Sequence, residues 1–248
     1  MNYGITHILR RSAALCGLVS LLAVVACGQR AEKPKTAATD APAVVRAPKG
    51  ARWRDVPEQV KRDAKYLFYL HGIIVENEGV RPTSPDYGVY EYERILDTFV
   101  ERGFEVISEA RPKGTDPHAY ASKLVGQIKR LLDAGVPPRN ITVVGASRGG
   151  GIVMFASTML KNREVNFVIL ASCGDFSIYR DNKVDLWGNI LSIYDFKERT
   201  GVGSCRRFVE SSTGVNRHKE IVVQLGLGHG LLYRPLPEWV DPTVEWAK

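Results

Sequence analysis

The segment Gly145-Ala146-Ser147-Arg148-Gly149 constrains the fold of this chain more than any other feature, because of what flanks it. The β-branched residues 141–144 precede it and an apolar helical pattern follows it, which predicts a strand that turns sharply into a helix. Residues two positions before and after Ser147 must be small for strand and helix to pass close together, and Gly145 and Gly149 meet that requirement. A serine held at such a turn is a candidate nucleophile.

Residues 1–27 are predicted to be an export signal and not part of the fold. A basic start over residues 7–11 precedes the apolar run 12–26, which is too short to span a bilayer comfortably. The run ends in Val24-Val25-Ala26-Cys27, which resembles the lipobox of bacterial lipoproteins. The resemblance implies that Cys27 carries the lipid anchor; the alternative is a small apolar residue near an ordinary cleavage site. The same resemblance implies that Gly28, standing after the cysteine in place of an aspartate, favours the outer membrane, with the protein facing the periplasm.

A disordered tether is predicted over residues 28–50, which are rich in Ala, Pro, Lys and Thr and have no hydrophobic period. The folded domain then covers residues 51–248. Residues 1–50 hold seven basic and two acidic side chains, so the domain has 27 basic against 25 acidic residues despite the chain's net charge of +7. This balance gives no reason to expect nucleic-acid binding. The basic surplus suits export and an anionic membrane surface.

Short apolar segments alternate with helical patterns along the predicted domain. Strands are predicted at 64–70, 104–108, 141–144, 166–171, 190–194 and 220–225, and helices at 91–102, 119–134 and 148–160. Strands that are apolar on both faces and alternate with helices predict an α/β fold, with a mostly parallel sheet covered on both sides. The connection after residue 171 is too short for a large cap domain.

A nucleophilic serine needs a base, an acid that orients the base, and donors for the oxyanion. In an open parallel sheet these groups gather at the carboxyl ends of the strands. His71 and His118 precede the serine, and His218 is expected to precede the final strand, at the wrong end of the sheet. His229 follows that strand, so it is the candidate base. Asp195 and Glu198 both follow the preceding strand and are candidate acids.

This order of motifs resembles the α/β-hydrolase superfamily over nearly the whole domain: a strand then His71-Gly72, a strand then the serine motif, a strand then an acid, and a strand then His229. The resemblance implies the α/β-hydrolase fold. In that family the acid commonly stands about four residues past its strand and three after a glycine. Glu198 matches the acid position and Asp195 takes the place of the glycine. Glu198 is therefore the preferred acid, with Asp195 and then Asp175 as alternatives.

The same resemblance implies an oxyanion hole made by the backbone N–H groups of Arg148 and Ile73. The His71 side chain is expected to be structural. The loops 75–90 and 109–118 are expected to border the site, where most of their polar side chains would be surface residues or ion pairs. These side chains are Glu76, Glu78, Arg81, Tyr87, Arg111 and His118.

Two of the four cysteines, Cys173 and Cys205, lie within the predicted domain. The predicted fold places both just beyond the ends of neighbouring strands. In an oxidising periplasm such residues can pair, so we predict a disulfide between them. The alternative is two buried free thiols.

The leading functional hypothesis is a serine hydrolase that cleaves small or medium carboxylic esters through an acyl-enzyme. No cofactor or metal is expected, because the His and Cys spacings fit no standard zinc pattern. Expected partners are a small-molecule or lipid ester and, through the anchor, the membrane. Alternatives are an acyltransferase, lipase or peptidase of the same fold, or a non-catalytic binding lipoprotein on a hydrolase fold.

Overall fold

A seven-stranded parallel sheet forms the centre of the structure, a computed structural model that describes residues 49–174, 183–199 and 201–248. The strands in chain order are β1 (Arg52–Trp53), β2 (Lys65–Leu70), β3 (Thr83–Ser84), β4 (Gly88–Val89), β5 (Phe104–Ile107), β6 (Ile141–Ala146), β7 (Asn166–Leu170), β8 (Trp187–Asp195) and β9 (Gly214–Val223). The central sheet has the order β1-β5-β2-β6-β7-β8-β9, while β3 and β4 form a separate antiparallel hairpin.

Helices cover both faces of the sheet. They are α1 (Ile73–Glu78), α2 (Tyr92–Glu101), α3 (Pro117–Asp133), α4 (Arg148–Leu160), α5 (Arg206–Glu210) and α6 (Pro237–Trp246). Strand β2 shows why two layers form, because its side chains alternate between faces. Tyr66 and Phe68 belong to the apolar core that includes α3 and α4, whereas Leu67 and Tyr69 belong to the core that includes α2 and α6. The predicted α/β fold, with helices on both faces, is confirmed.

The last strand differs from its prediction. Strand β9 begins at Gly214 and not at residue 220, so His218 lies within it, opposite Ile190, and not ahead of it. The prediction was wrong because it required an apolar run. An edge strand has one unpaired side and tolerates exposed cationic residues such as Arg217 and Lys219.

Helix α1 also departs from prediction, because its residues were expected to be part of a loop. The helix has only six residues, and contacts from outside it bury Val75 and Glu76. No helix among the described residues is long and apolar enough to cross a membrane. The predicted signal with Cys27, most of the predicted tether and the alternative acid Asp175 lie outside the described residues.

Candidate active site

Ser147 occupies a strained turn between β6 and α4. Its φ of 52° and ψ of −119° are unusual for a residue with a side chain. Its N–H donates to the Leu170 carbonyl at 2.9 Å, and its own carbonyl accepts from the Ser172 hydroxyl at 2.7 Å. Strand β7 and the residues after it therefore hold the backbone of Ser147 through both its N–H and its carbonyl group.

The glycines around Ser147 are required by close backbone packing. A Cβ at Gly145 would lie 2.4 Å from the Gly149 oxygen, and one at Gly149 would lie 2.1 Å from the Leu70 oxygen. A Cβ at Gly150 would lie 1.9 Å from the Ser172 hydroxyl oxygen. The first turn of α4 thus packs closely against the ends of β2 and β6, as the sequence predicted. This packing offsets the cost of placing glycine in a helix, which is about 1 kcal/mol per residue.

His229 and Glu198 are brought together from two different loops. Glu198 follows β8, and His229 lies in the 3₁₀ segment Gly228–Tyr233 that follows β9. The Nδ1 atom of His229 is 2.8 Å from the Glu198 Oε2 atom, and the Glu198 side chain is only 2% exposed. A buried carboxylate on Nδ1 fixes the ring orientation and leaves Nε2 as the nitrogen that can exchange a proton.

Asp195, the alternative acid, is fully buried and serves the backbone. Its carboxylate accepts four hydrogen bonds of 2.9–3.1 Å from the N–H groups of Lys197, Leu225, Gly226 and Gly228. Burial raises the pKa of this carboxyl, but backbone N–H donors outweigh burial and hold the pKa below its ordinary value. Asp195 therefore joins the loop that carries Glu198 to the loop that carries His229.

Aromatic contacts bring the His229 segment back towards the end of β2. The Tyr233 ring packs edge-on against Tyr90 with centroids 5.0 Å apart, and Tyr87 lies 6.3 Å from the His229 ring. Tyr90 in turn lies 4.0 Å from the position of a Cβ built on Gly72, which would itself be 3.6 Å from Ser147 Cβ. Among the described residues, no hydrogen bond joins the Ser147 hydroxyl to His229; such contacts are often long before substrate binds.

The two expected oxyanion donors each begin a helix beside Ser147. Ile73 is the first residue of α1 and Arg148 is the first residue of α4. Backbone N–H groups in the first turn of a helix have no partner within that helix, so both can donate to a ligand. The close approach of Gly72 to Ser147 brings the start of α1 to the turn that holds Ser147.

Several solved structures are similar to this one. Esterase B from Lactobacillus rhamnosis is similar over 76% of this chain and 76% of its own, at 11% identity and a TM-score of 0.50. The chain has the α/β-hydrolase fold. XC6422 from Xanthomonas campestris, an α/β serine hydrolase without a lid, is also similar, over 77% of this chain and 84% of its own, at 13% identity and a TM-score of 0.43. No family model matches the sequence, and no curated protein matches it.

Within this α/β-hydrolase fold the His71 side chain is structural. Its Nε2 accepts the Arg111 N–H at 2.9 Å, so its proton is on Nδ1, which lies 2.8 Å from the Gly72 oxygen. Burial and the positive charge of Arg111 lower the pKa of His71 to about 3. The ring is therefore neutral at physiological pH and fixes the loop that leads to Ile73.

A buried ionic cluster lies beside the candidate site, and although ion pairs were expected in these loops, their burial was not. Glu76 contacts the guanidinium of Arg111 at 2.8 Å and that of Arg148 at 3.3 Å. The side chains of Glu76 and Arg111 are 1% and 0% exposed. The sequence offered both residues only as members of bordering loops, and no local pattern signals their burial. His118 instead packs its ring against Phe155.

The disulfide between Cys173 and Cys205 is present and joins the segment after β7 to the start of α5. The prediction of this bridge is confirmed. The Glu220 carboxylate on β9 accepts the Cys205 N–H at 2.8 Å, so the bridge is also tied to the edge strand. Among the described residues, no group of three or more His, Cys, Asp or Glu side chains is placed to hold a metal ion.

Proposed function

We propose that this protein is a serine hydrolase that cleaves carboxylic esters, with Ser147 as nucleophile, His229 as base and Glu198 as the orienting acid. The observation that carries the proposal is the contact of His229 Nδ1 with a buried Glu198, in a fold where Ser147 occupies the strained turn between β6 and α4. Strained backbone and a buried His–carboxylate pair both cost stability, and such features concentrate at functional sites.

In the proposed acylation step, the Ser147 oxygen attacks the ester carbonyl carbon while His229 Nε2 accepts the hydroxyl proton. The carbonyl oxygen becomes an oxyanion, which the N–H groups of Ile73 and Arg148 stabilise. The bond to the leaving alkoxide breaks as His229 returns the proton to it, giving the free alcohol and an acyl-serine. Glu198 stabilises the imidazolium that forms between these two proton transfers.

Deacylation repeats the same chemistry with water. His229 removes a proton from the attacking water, and the tetrahedral oxyanion again occupies the two-donor site. Collapse expels the Ser147 oxygen, which takes the proton from His229, and releases the carboxylic acid. Both steps therefore use the same nucleophile, base, orienting acid and pair of oxyanion donors, and neither step requires a cofactor.

Short- and medium-chain esters are the proposed substrates. The short connection between β7 and β8 supports an open site with little enclosure for a long acyl chain. Esterase B was crystallised with a tributyrin phosphonate, and we extend that short-chain class to this protein as part of the proposal. The test is hydrolysis of p-nitrophenyl esters of rising chain length by wild type and by Ser147→Ala. Equal rates for the two proteins would contradict the proposal.

A periplasm-facing lipid anchor at Cys27, with sorting to the outer membrane, is proposed for the location of the enzyme. The support is the apolar run that ends in Ala26-Cys27-Gly28. Metabolic labelling with an alkyne fatty acid in a bacterial host should mark the wild-type protein but not Cys27→Ser. Labelling that persists in the variant would contradict an anchor at this residue.

A further inference from the structure

Three buried or half-buried charged side chains form what we call the Glu76 cluster: Glu76, Arg111 and Arg148. Glu76 Oε1 accepts from Arg111 Nε at 2.8 Å, and Glu76 Oε2 lies 3.3 Å from Arg148 Nε. Arg148 also donates from Nη2 to the Thr115 carbonyl at 2.8 Å. One carboxylate thus bridges two guanidinium groups that come from different parts of the chain.

The cluster is expensive to bury. Two cations face one anion, and the neutral His71 adds no charge to balance them. Two buried guanidinium atoms form no hydrogen bond: Arg111 Nη1, and Arg148 Nε, which has only its ion-pair contact with Glu76. Replacing a buried ion pair by apolar side chains of similar size is often neutral or stabilising, so folding alone gives little reason to keep this arrangement. A local function for the cluster accounts for its cost.

The position of the cluster identifies that function. Glu76 stands on α1, whose first residue is Ile73, and Arg148 is the first residue of α4. The contact between Glu76 and Arg148 therefore links the two short segments that carry the expected oxyanion donors. No other ion pair among the described residues joins these two helices.

Arg111 extends this link to the backbone ahead of Ile73. Its Nη2 donates to the His71 carbonyl, and its own N–H donates to the His71 ring at 2.9 Å. Arg111 thereby fixes the peptide that leads into Gly72 and Ile73, while Glu76 fixes Arg111 against Arg148. The segments that carry the two donors, residues 71–73 and the start of α4, therefore both connect to the Glu76 carboxylate.

We propose that the side chains of Glu76, Arg111 and Arg148 are positioning residues that set the spacing of the two oxyanion donors. This inference rests on the proposed hydrolase function, because the Ile73 and Arg148 N–H groups act on an oxyanion only if Ser147 is acylated. The side chains themselves do not touch the reacting atoms. Losing one donor completely costs about 10²–10³ in kcat, so a displaced donor should cost part of that factor.

The test uses Arg148→Met, which keeps the backbone N–H and removes the link between the helices. The Arg148 side chain is 30% exposed, and the buried pair of Glu76 with Arg111 remains, so this variant is expected to fold. We expect kcat for p-nitrophenyl butyrate to fall about 10-fold or more while KM stays within about twofold, as for an interaction made in the transition state. Arg148→Lys, which restores a cation opposite Glu76, should recover part of the lost kcat.

Arg52→Met is the matched control. Arg52 is 36% exposed and forms its ion pairs with Glu93 and Asp97 on α2, not with the Glu76 cluster. Its replacement should leave kcat unchanged. Glu76→Gln provides a second variant, in which kcat should also fall while KM is held. All rates are expressed per active site, titrated with a fluorophosphonate.

The inference is overturned if Arg148→Met retains wild-type kcat, if KM rises as much as kcat falls, or if Arg148→Lys is no more active than Arg148→Met. Failure of the proposed function gives a different result, because wild type itself would then lack Ser147-dependent hydrolysis and fluorophosphonate labelling. The same set of proteins therefore distinguishes a failure of this inference from a failure of the proposed function.

Discussion

The Glu198 carboxylate contacts the His229 imidazole through a 2.8 Å separation of Oε2 and Nδ1, although the two residues are 31 positions apart in sequence. The histidine ring is 16% exposed and the carboxylate 2% exposed, so the contact is shielded on the acid side and accessible on the imidazole side. An ionised group held in this way stabilises an imidazolium more strongly than it could in water.

Glu198→Gln should lower kcat/KM by about 10³–10⁴ while the fold is preserved. The amide keeps the size of the side chain but removes the negative charge that stabilises the protonated ring and selects its tautomer. The measurement is ester hydrolysis together with the midpoint of thermal unfolding. Retention of more than about a tenth of wild-type kcat/KM would mean that another group orients His229.

Asp195→Asn should act mainly on stability. Its carboxylate accepts from four backbone N–H groups, and an amide would turn one acceptor atom into a donor that faces those same donors. We expect the free energy of unfolding in urea to fall by about 2 kcal/mol or more, the cost of unsatisfied buried groups. An unchanged unfolding midpoint would contradict the role of Asp195 as the link between the two loops.

The stability contribution of Asp195 should also depend on pH. Its pKa in the folded protein lies below the ordinary 3.8, so the ionised carboxylate stabilises the fold above that pH. The contribution is lost as pH falls through the folded pKa. The stability difference between wild type and Asp195→Asn should therefore shrink between about pH 6 and about pH 3. A difference that stays constant over this range would contradict a depressed pKa.

Gly149→Ala should destabilise the protein although alanine is the better helix former. Its Cβ would lie 2.1 Å from the Leu70 carbonyl oxygen, and backbone cannot move aside cheaply. The expected loss is about 1–3 kcal/mol, typical of overpacking. Gly126→Ala on α3 is the matched control, because a Cβ there has nothing within 4 Å. It should stabilise by about 0.5–1 kcal/mol, and equal effects of the two variants would contradict the packing argument.

The sequence carried enough information for the central part of the fold because local and long-range demands agree there. Residues 141–160 are a buried strand, a glycine-flanked turn and an apolar helix, and the side chains of each segment predict its structure. The placement of Glu198 after β8 was predicted from the strand end together with the spacing that the resemblance to the α/β-hydrolase superfamily implies. The Cys173–Cys205 bridge followed from the placement of neighbouring strand ends.

Other features depend on partners far away in sequence and were missed for that reason. Helix α1 has six residues and too few apolar positions to show a helical period. Its residue Glu76 is buried partly by Arg111, which is 35 positions away in sequence. Strand β9 carries alternating exposed cations because it is an edge strand, and sequence alone does not reveal which strand lies at an edge. Asp195 and Glu198 follow the same strand, and three of the four backbone donors to Asp195 lie 30 to 33 positions later in the sequence, where no local pattern indicates them.

The most direct test of the account is covalent labelling of Ser147. A fluorophosphonate acts on a serine that a base has activated, and its phosphonyl oxygen occupies the oxyanion site. The residue 51–248 domain should gain the mass of one phosphonyl group, with peptide mapping placing it on Ser147. The Ser147→Ala variant should gain none. Folded wild-type domain that stays unlabelled by probes of several sizes, or that is labelled at another residue, would contradict the account.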